Sequence, residues 1–344
     1  MDKVDFDAYL KAGEIAREVK VFVRGYVRRG MRLIDIGEAV DGKILELGGD
    51  YAFPVGLGVD EVAAHFTPDR DSCEVAEGLL KIDIGVCVDG FIADTALSLD
   101  LSADGRYGGV IDFNEKILSV ASARVLGCEG DLMVRDIGNV VSDFVDKSGS
   151  DGVVVRGLCG HSLDCNVIHC APSVPNVRNE NGYVFDDDAF AVEPFVSMGS
   201  GEIVEGKGGG IYVLRNSAGV RDRDARKVVE FVGKRFCGRP FCKRWVRRAI
   251  RSEELQRTKR QELRTKSVLR GSSALSRDDV GIGDVEERKL DFIFGMLTRQ
   301  GVFYEYPILL ERSRKPVSQV EDTFVVANGK RVCTTGDEGF WDNV

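Results

Sequence analysis

Lys81-Ile82-Asp83-Ile84-Gly85-Val86-Cys87-Val88-Asp89-Gly90-Phe91-Ile92-Ala93-Asp94-Thr95-Ala96-Leu97-Ser98-Leu99 carries the clearest local signal in this chain. Apolar residues alternate with others on both sides of Asp89-Gly90, the dipeptide most favoured in two-residue turns, and the pattern predicts a β-hairpin. Asp83 and Asp94 then fall on opposite strands. Residues roughly equidistant from the turn lie side by side in an antiparallel pair, so the two carboxylates are expected to face one another across the ladder. Like charges that close repel unless a cation stands between them. Two solvated aspartates on an edge hairpin are the alternative, and the hairpin alone leaves both readings open.

The composition narrows the classes. With 344 residues and 43% hydrophobic content, the chain is long enough for a large core, in one domain with an insertion or in two domains. It has no run of about eighteen apolar residues, and its first residues, Met1-Asp2-Lys3-Val4-Asp5-Phe6-Asp7, are acidic where a secretory signal is basic and then apolar. Neither a membrane-spanning helix nor a signal is expected. Nine scattered cysteines without a Cys-x-x-Cys pair suit reduced thiols and a cytoplasmic location. The net charge of -9 argues against DNA as the main ligand. Between Arg215 and Arg270, however, nineteen Lys and Arg stand against six Asp and Glu, so this segment carries +13 and the remainder -22. Only three histidines occur, His65, His161 and His169, which makes their positions informative.

Leu10, Ile15, Val19, Phe22, Tyr26 and Val27 recur at helical spacing and predict an amphipathic helix from Phe6 to Arg29, closed by Gly30. A second helix is expected from Leu33 to Leu47, ending at Gly48-Gly49. The next segment, with Pro54, Gly56, Gly58 and Pro68, reads as short extended pieces and a loop that carries His65. Helices are expected at Asn114–Leu126 and Val134–Lys147. The region from Val153 to Asn176 is rich in β-branched residues and turn formers and holds Gly160-His161-Ser162 and Ile168-His169. Their even spacing puts both imidazoles on one face of an extended strand, or close together if the strand bends. Ala189-Phe190-Ala191-Val192-Glu193-Pro194-Phe195 is another extended run, in which Glu193 is costly to bury without a cation or a donor. Helical patterning returns at Arg215–Arg251 and Asp284–Arg299, and the polar stretch between Gln256 and Asp284 is expected to be a mobile connection. Strand-like sequence follows at Phe303–Leu310 and Val317–Val326, the latter carrying Glu321. The expected division is a catalytic domain from residues 1–214 and 301–344 with a helical insert over 215–300.

Asp83, Asp94, His161, Glu193 and Glu321 thus form a set of four carboxylates and one imidazole on separate β-like segments. Hard oxygen ligands with a single nitrogen suit divalent Mn, Fe, Co or Zn, and two ions share four negative charges better than one does. Two metals about 3.5–4 Å apart can hold a bridging hydroxide, lower its pKa and stabilise the oxyanion formed when it attacks a carbonyl. His65 and His169 would remain as hydrogen-bond donors near the scissile amide. Blander readings stand beside this one. They make His65 a structural histidine, Glu193 and Glu321 salt-bridge partners, and Cys159, Cys165 and Cys170 either buried thiols or zinc ligands.

The spacing of Asp83 and Asp94, Gly160-His161-Ser162 with Ile168-His169, Val192-Glu193-Pro194-Phe195, Ser318-Gln319-Val320-Glu321 and the run from Ala52-Phe53-Pro54 to His65-Phe66-Thr67-Pro68 together resemble the methionine aminopeptidases. The long insert between Glu193 and Glu321 resembles the type 2 branch, and the lack of a polybasic N-terminal extension its short, prokaryotic-style form. The resemblance implies the pita-bread fold, an α/β arrangement in which helices flank a curved, mainly antiparallel sheet. It implies two divalent metal ions (Co, Mn, Fe or Zn), with Asp83 on one, Asp94 and Glu321 bridging, and His161 and Glu193 on the other. Glu193 would also shuttle the proton. His65 would contact the scissile amide, His169 the substrate backbone, and Phe53 and Ile168 would line an apolar pocket for the methionine side chain.

The implied activity is removal of the initiator methionine from nascent polypeptide N-termini when the second residue is small. An X-Pro peptidase of the same fold, and a non-catalytic relative that binds ribosome or RNA, are the alternatives. The basic segment 215–270 is either a solvated surface or a patch, including Arg244, Arg247 and Arg248, that docks on ribosomal RNA. The chain departs from the family's pattern where Asp322 follows Glu321 in place of a common histidine, where Gly208-Gly209-Gly210-Ile211 replaces a less flexible stretch, in a pocket histidine that is absent, and in the length of the insert.

Overall fold

Helix α1 (Lys3–Tyr26) buries Ala12, Ile15, Ala16, Val19 and Val23 on one face, the spacing that marks an amphipathic helix. It belongs to a computed structural model that describes residues 1, 3–266, 282 and 285–336. Gly30, at φ 84°, turns the chain into α2 (Leu33–Glu46). Strands β1 (Asp50–Tyr51), β2 (Gly56–Val59) and β3 (Val62–Ala64) follow, then the expected hairpin of β4 (Gly78–Val88) and β5 (Phe91–Leu101). Asp89 and Gly90 both take positive φ, 51° and 93°, the tight turn that Asp-Gly favours. β4 pairs with β5 on one edge and with β2 and β1 on the other, all antiparallel, and α1 lies across the hairpin.

The register corrects one expectation. Asp83 is opposite Ala96, and Asp94 is opposite Gly85. The two aspartates are diagonal neighbours, because Asp83 stands farther from the turn than Asp94 does. Diagonal positions on one face still lie within reach, and the two carboxyl groups share a hydrogen bond.

Helices α3 (Gly108–Leu126) and α4 (Val134–Ser148) come next. α3 begins upstream of Asn114, where a sequence reading would start it. The glycine pair in its first turn hides a start that is set by the Asp100 carboxylate, which accepts the Tyr107 amide at 2.7 Å. Strands β6 (Val153–Val154), β7 (Gly160–Asp164), β8 (Val167–Val174), β9 (Ala189–Val192), β10 (Phe195–Ser197) and β11 (Ile203–Leu214) follow. Ile117, Ala121 and Val125 of α3 and Ile137 and Val141 of α4 pack with Phe190, Val192 and Val196 in one buried cluster. Helix α5 (Arg223–Phe236), strand β12 (Phe241–Cys242), helix α6 (Lys243–Lys266) and helix α7 (Leu290–Arg299) precede β13 (Phe303–Glu311), β14 (Val317–Gln319), β15 (Asp322–Ala327) and β16 (Lys330–Cys333). The site is built on two sheets, β1 and β2 against β4 with β5, and β16-β15-β9-β7-β8.

The chain divides into two compact units, one formed by Met1–Gly209 with the segment from Pro307 onward, the other by Gly210–Tyr306. Within the second unit the helical patterning expected from Arg215 to Arg251 resolves into two helices. Cys237 and Gly238 take φ 53° and 94° and Pro240 follows, which ends α5 and separates it from α6. α6 runs on to Lys266, into the stretch expected to be mobile; most of the rest of that stretch lies outside the described residues. Of the arginines expected on an RNA-facing surface, Arg244 and Arg247 are buried. Arg247 and Lys243 pair with Asp291 at 2.8 and 2.7 Å, and Arg251 with Glu287 at 2.6 Å. These three cations are therefore paired with acids inside the unit.

In the first unit, Glu311 ties two loops together. One carboxylate oxygen accepts from Ser200 Oγ at 2.6 Å and the Gly201 amide at 3.1 Å, the other from Ser313 Oγ at 2.7 Å and the Lys315 amide at 3.2 Å. Burial would push its pKa up, but these hydrogen bonds prevail and bring it down to about 2. A depressed carboxyl contributes stability above its unfolded pKa and loses it as pH falls towards its folded value. Glu311→Gln is expected to cost on the order of 2–3 kcal/mol near neutral pH. Thermal unfolding of the two proteins should show the gap narrowing steadily as pH is lowered from 6 to 3.

Candidate metal centre

β4 and β5 carry Asp83 and Asp94, β7 carries His161, Glu193 follows the end of β9, and Glu321 precedes β15. These five residues come from distant parts of the sequence and converge. Ligand atoms of Asp94, His161 and Glu321 lie within 4.8 Å of one another, and so do those of Asp83, Glu193 and Glu321. Glu321 is common to both groups. His161 Nε2 stands 3.6 Å from Asp94 Oδ2. The grouping places Glu193 with Asp83 and His161 with Asp94, whereas the family pattern pairs His161 with Glu193. Among the described residues neither group includes a cysteine, and Cys159, Cys165 and Cys170 are free thiols.

Burial dominates the electrostatics. It raises Asp83 to about 7, against the lowering effect of hydrogen bonds with Gln319 and Asp94. Burial, then the charge of neighbouring carboxylates, pushes Asp94, Glu193 and Glu321 well above the usual range. Asp83 Oδ1, Asp94 Oδ1 and Glu321 Oε1 are buried without a hydrogen-bond partner among the described residues. Buried carboxylate oxygens are seldom left so, because the desolvation cost is then uncompensated. A divalent cation removes that cost, and a donor set of carboxylates plus one imidazole fits Mn, Fe, Co or Zn. The residues present therefore fit the metal that their chemistry implies.

The histidines stay neutral. Burial and then His169 lower His161 to about 3, which leaves a ring nitrogen lone pair free at neutral pH. The rings of His161 and His169 meet edge to face, with centroids 4.4 Å apart. The β7–β8 hairpin brings this about, so the two histidines are on neighbouring strands and not on one. Burial and the nearby His65 hold His169 below its ordinary range, and burial lowers His65. His65 directly follows β3 and takes φ 65°, a left-handed conformation that strains a side-chain-bearing residue. Gly209 of β11 accounts for its place. The Gly209 carbonyl accepts the Thr67 amide at 2.9 Å, and a Cβ on Gly209 would collide with the His65 carbonyl.

Phe53 and Ile168 share an apolar cluster with Tyr9, Ala52, Cys87, Ile92 and Leu163. The Phe53 ring lies over Gly85, where any Cβ would strike it. Three residues that the sequence reading gave no role complete the site. Gln319 Nε2 donates to Glu193 Oε1 at 2.8 Å, Asn176 Nδ2 to the Glu193 carbonyl at 2.7 Å, and Asn114 Nδ2 to the Pro194 carbonyl at 3.0 Å. Gln319 was detectable, since it stands two residues before Glu321 in an extended segment and so shares its face. The two asparagines gave no such signal.

Residues 7–229 match the model of metallopeptidase family M24. The chain belongs to metallopeptidase family M24. It is 32% identical to a methionine aminopeptidase of Thermococcus onnurineus over 335 residues, 96% of this chain and 99% of that one. Among solved structures, a thermophilic Arx1 aligns with a TM-score of 0.73 at 16% identity, covering 98% of this chain and 92% of that chain. Methionine aminopeptidase from Rickettsia prowazekii aligns with a TM-score of 0.60 at 16% identity, covering 98% of each. At such identities the structural likeness speaks for the fold alone. The M24 chain is an aminopeptidase with the pita-bread fold, as the motifs implied. No helix among the described residues is long and apolar enough to cross a membrane.

Because Gly209 abuts the backbone of His65, Gly209→Ala should displace that imidazole without touching the carboxylates. Aminopeptidase turnover is expected to fall about tenfold or more, while metal binding measured by calorimetry stays as in the wild type.

Proposed function

We propose that this chain removes the initiator methionine from nascent polypeptides whose second residue is small, using two divalent ions held by Asp83, Asp94, His161, Glu193 and Glu321. The observation that carries the reading is Glu321, common to two ligand groups and flanked by buried carboxylate oxygens without partners. Bound there, the ions supply an activated water and a positive centre for the carbonyl oxygen. Everything else falls to side chains. Glu193 takes the proton from the attacking water and returns it to the departing amine, its reach fixed by Gln319 and Asn176. The neutral His65 and His169 donate to the scissile amide and the adjacent substrate backbone, which an imidazole kept uncharged can do without repelling cations.

Phe53 and Ile168, in one apolar cluster, suit an unbranched thioether side chain. The 97 residues of the second unit, Gly210–Tyr306, fall between Glu193 and Glu321 and support the type 2 branch.

Elemental analysis, followed by assays of chelated and reloaded protein on Met-Ala and X-Pro peptides, tests this reading. Two equivalents of metal and activity on Met-Ala peptides that is lost on chelation and restored by Co or Mn are expected. Preference for X-Pro peptides, or metal-free protein that stays inactive after loading, would overturn it. Glu193→Gln should lower kcat by about a hundredfold or more, since a ligand and a proton carrier are lost together. Near-normal turnover would remove Glu193 from that role.

A further inference from the structure

Asp94 and Glu321 stand at the middle of the site, yet they come from different sheets. β5 pairs with β4, and β15 with β9 and β16. The ladder between the two ligand-bearing segments is a single bridge, Ala96 to Glu321, with amide-to-carbonyl distances of 3.3 and 3.1 Å. One bridge fixes the separation of two side chains poorly, and side chains supply what the ladder lacks. Thr323 Oγ1 accepts the Asp94 amide at 2.8 Å and donates to the Asp94 carbonyl at 2.7 Å. Thr95 Oγ1 donates to the Glu321 carbonyl at 2.7 Å and stands 3.4 Å from Asp322 Oδ1. Asp322 Oδ1 also accepts from Thr335 Oγ1 at 2.8 Å and meets Lys20 Nζ of α1 at 3.1 Å.

Lys20 and Asp322 are each 4% exposed, and Thr95 is fully buried. A buried ion pair of this kind is weak evidence for stability, because apolar side chains of similar size often serve as well. Its position gives it another use. Asp322 and Thr95 directly follow Glu321 and Asp94, and alternation along a strand puts them on the face behind the ligands. Helix, β5 and β15 are joined there by one chain of polar contacts.

We infer that the Lys20–Asp322 ion pair and the Thr95 hydroxyl, one holding Asp322 and the other the Glu321 carbonyl, together form a positioning device that sets the separation of Asp94 and Glu321. The inference rests on the reading of those two residues as metal ligands. Partners one step behind metal ligands typically change affinity by about ten- to a hundredfold when removed. The aspartate, standing where the family commonly has histidine, is thus tied to Lys20 and held back from becoming a further ligand.

The test uses the full chain, stripped with chelator and titrated with Co2+ in a calorimeter, with the visible absorption of bound cobalt as a second readout. Thr95→Val keeps the ion pair and the side-chain shape but cuts the link to the Glu321 carbonyl. Lys20→Met combined with Asp322→Asn removes both charges of the pair. Each is expected to weaken cobalt binding about tenfold or more, to alter the absorption bands, and to lower kcat on a methionyl peptide with KM unchanged. Lys20→Arg, which keeps the pair, should bind cobalt as the wild type does. Wild-type affinity and spectrum in folded Thr95→Val would overturn the inference, whether or not the double variant folds. Wild-type protein that binds no cobalt would instead overturn the ligand assignment, and this inference with it.

Discussion

Carboxylates brought together out of water repel one another, and this structure depends on how that repulsion is borne. Asp83, Asp94, Glu193 and Glu321 are each pushed towards the protonated form, first by burial and, for Asp94, Glu193 and Glu321, then by neighbouring carboxylates. The strands that deliver them are correspondingly rigid. β15 is buried along its whole length, and β5 is buried from Ile92 to Ser98. Deep packing on both sides lets these strands hold charges where an exposed hairpin would splay apart. A cation set reverses the sign of the local potential, and the same crowding becomes a chelate.

The imidazoles obey the same economy of charge. Three positive rings beside a cation site would oppose metal binding, and burial keeps them neutral. His65 shows how the geometry is held. Its left-handed backbone is unfavourable alone, and it persists because β3 leads into it and Gly209 packs against its carbonyl. The glycine run that looks like a loosening of the family's pattern is therefore, at Gly209, a fit to a backbone that leaves no room for a side chain.

The hairpin, the two N-terminal helices and the five acidic and imidazole residues that the structure brings together could be read in the sequence because each has a local signal. Asp89-Gly90 encodes its own turn, apolar spacing encodes α1 and α2, and an isolated carboxylate in an apolar run encodes a buried charge. Less local features were not legible. The early start of α3 depends on Asp100, which lies outside the helix, whereas the diagonal register of Asp83 and Asp94 follows from the two-residue turn by counting residues on either side of it. Asn114 and Asn176 act on the Glu193-Pro194 backbone from elements far away in the chain. In the insert, net charge left two readings open. Counting Lys and Arg cannot separate free charge from charge already opposed, and Arg247, buried against Asp291, looks the same in sequence as an arginine in water.

Asp322 brings the charge account to its conclusion. Left alone, it would be one more buried carboxylate beside the four that converge at the candidate site, and its field adds to those that push Glu321 upwards. Lys20 opposes it at 3.1 Å and is equally buried, so neither charge is screened by solvent. Four carboxylates would match the charge of the two divalent ions proposed for them, and that match would survive only if the additional acid is cancelled. Replacing a histidine with an aspartate at this place is therefore tolerable in company with a buried lysine on α1, and the identity of residue 20 becomes part of the chemistry of a site it does not touch.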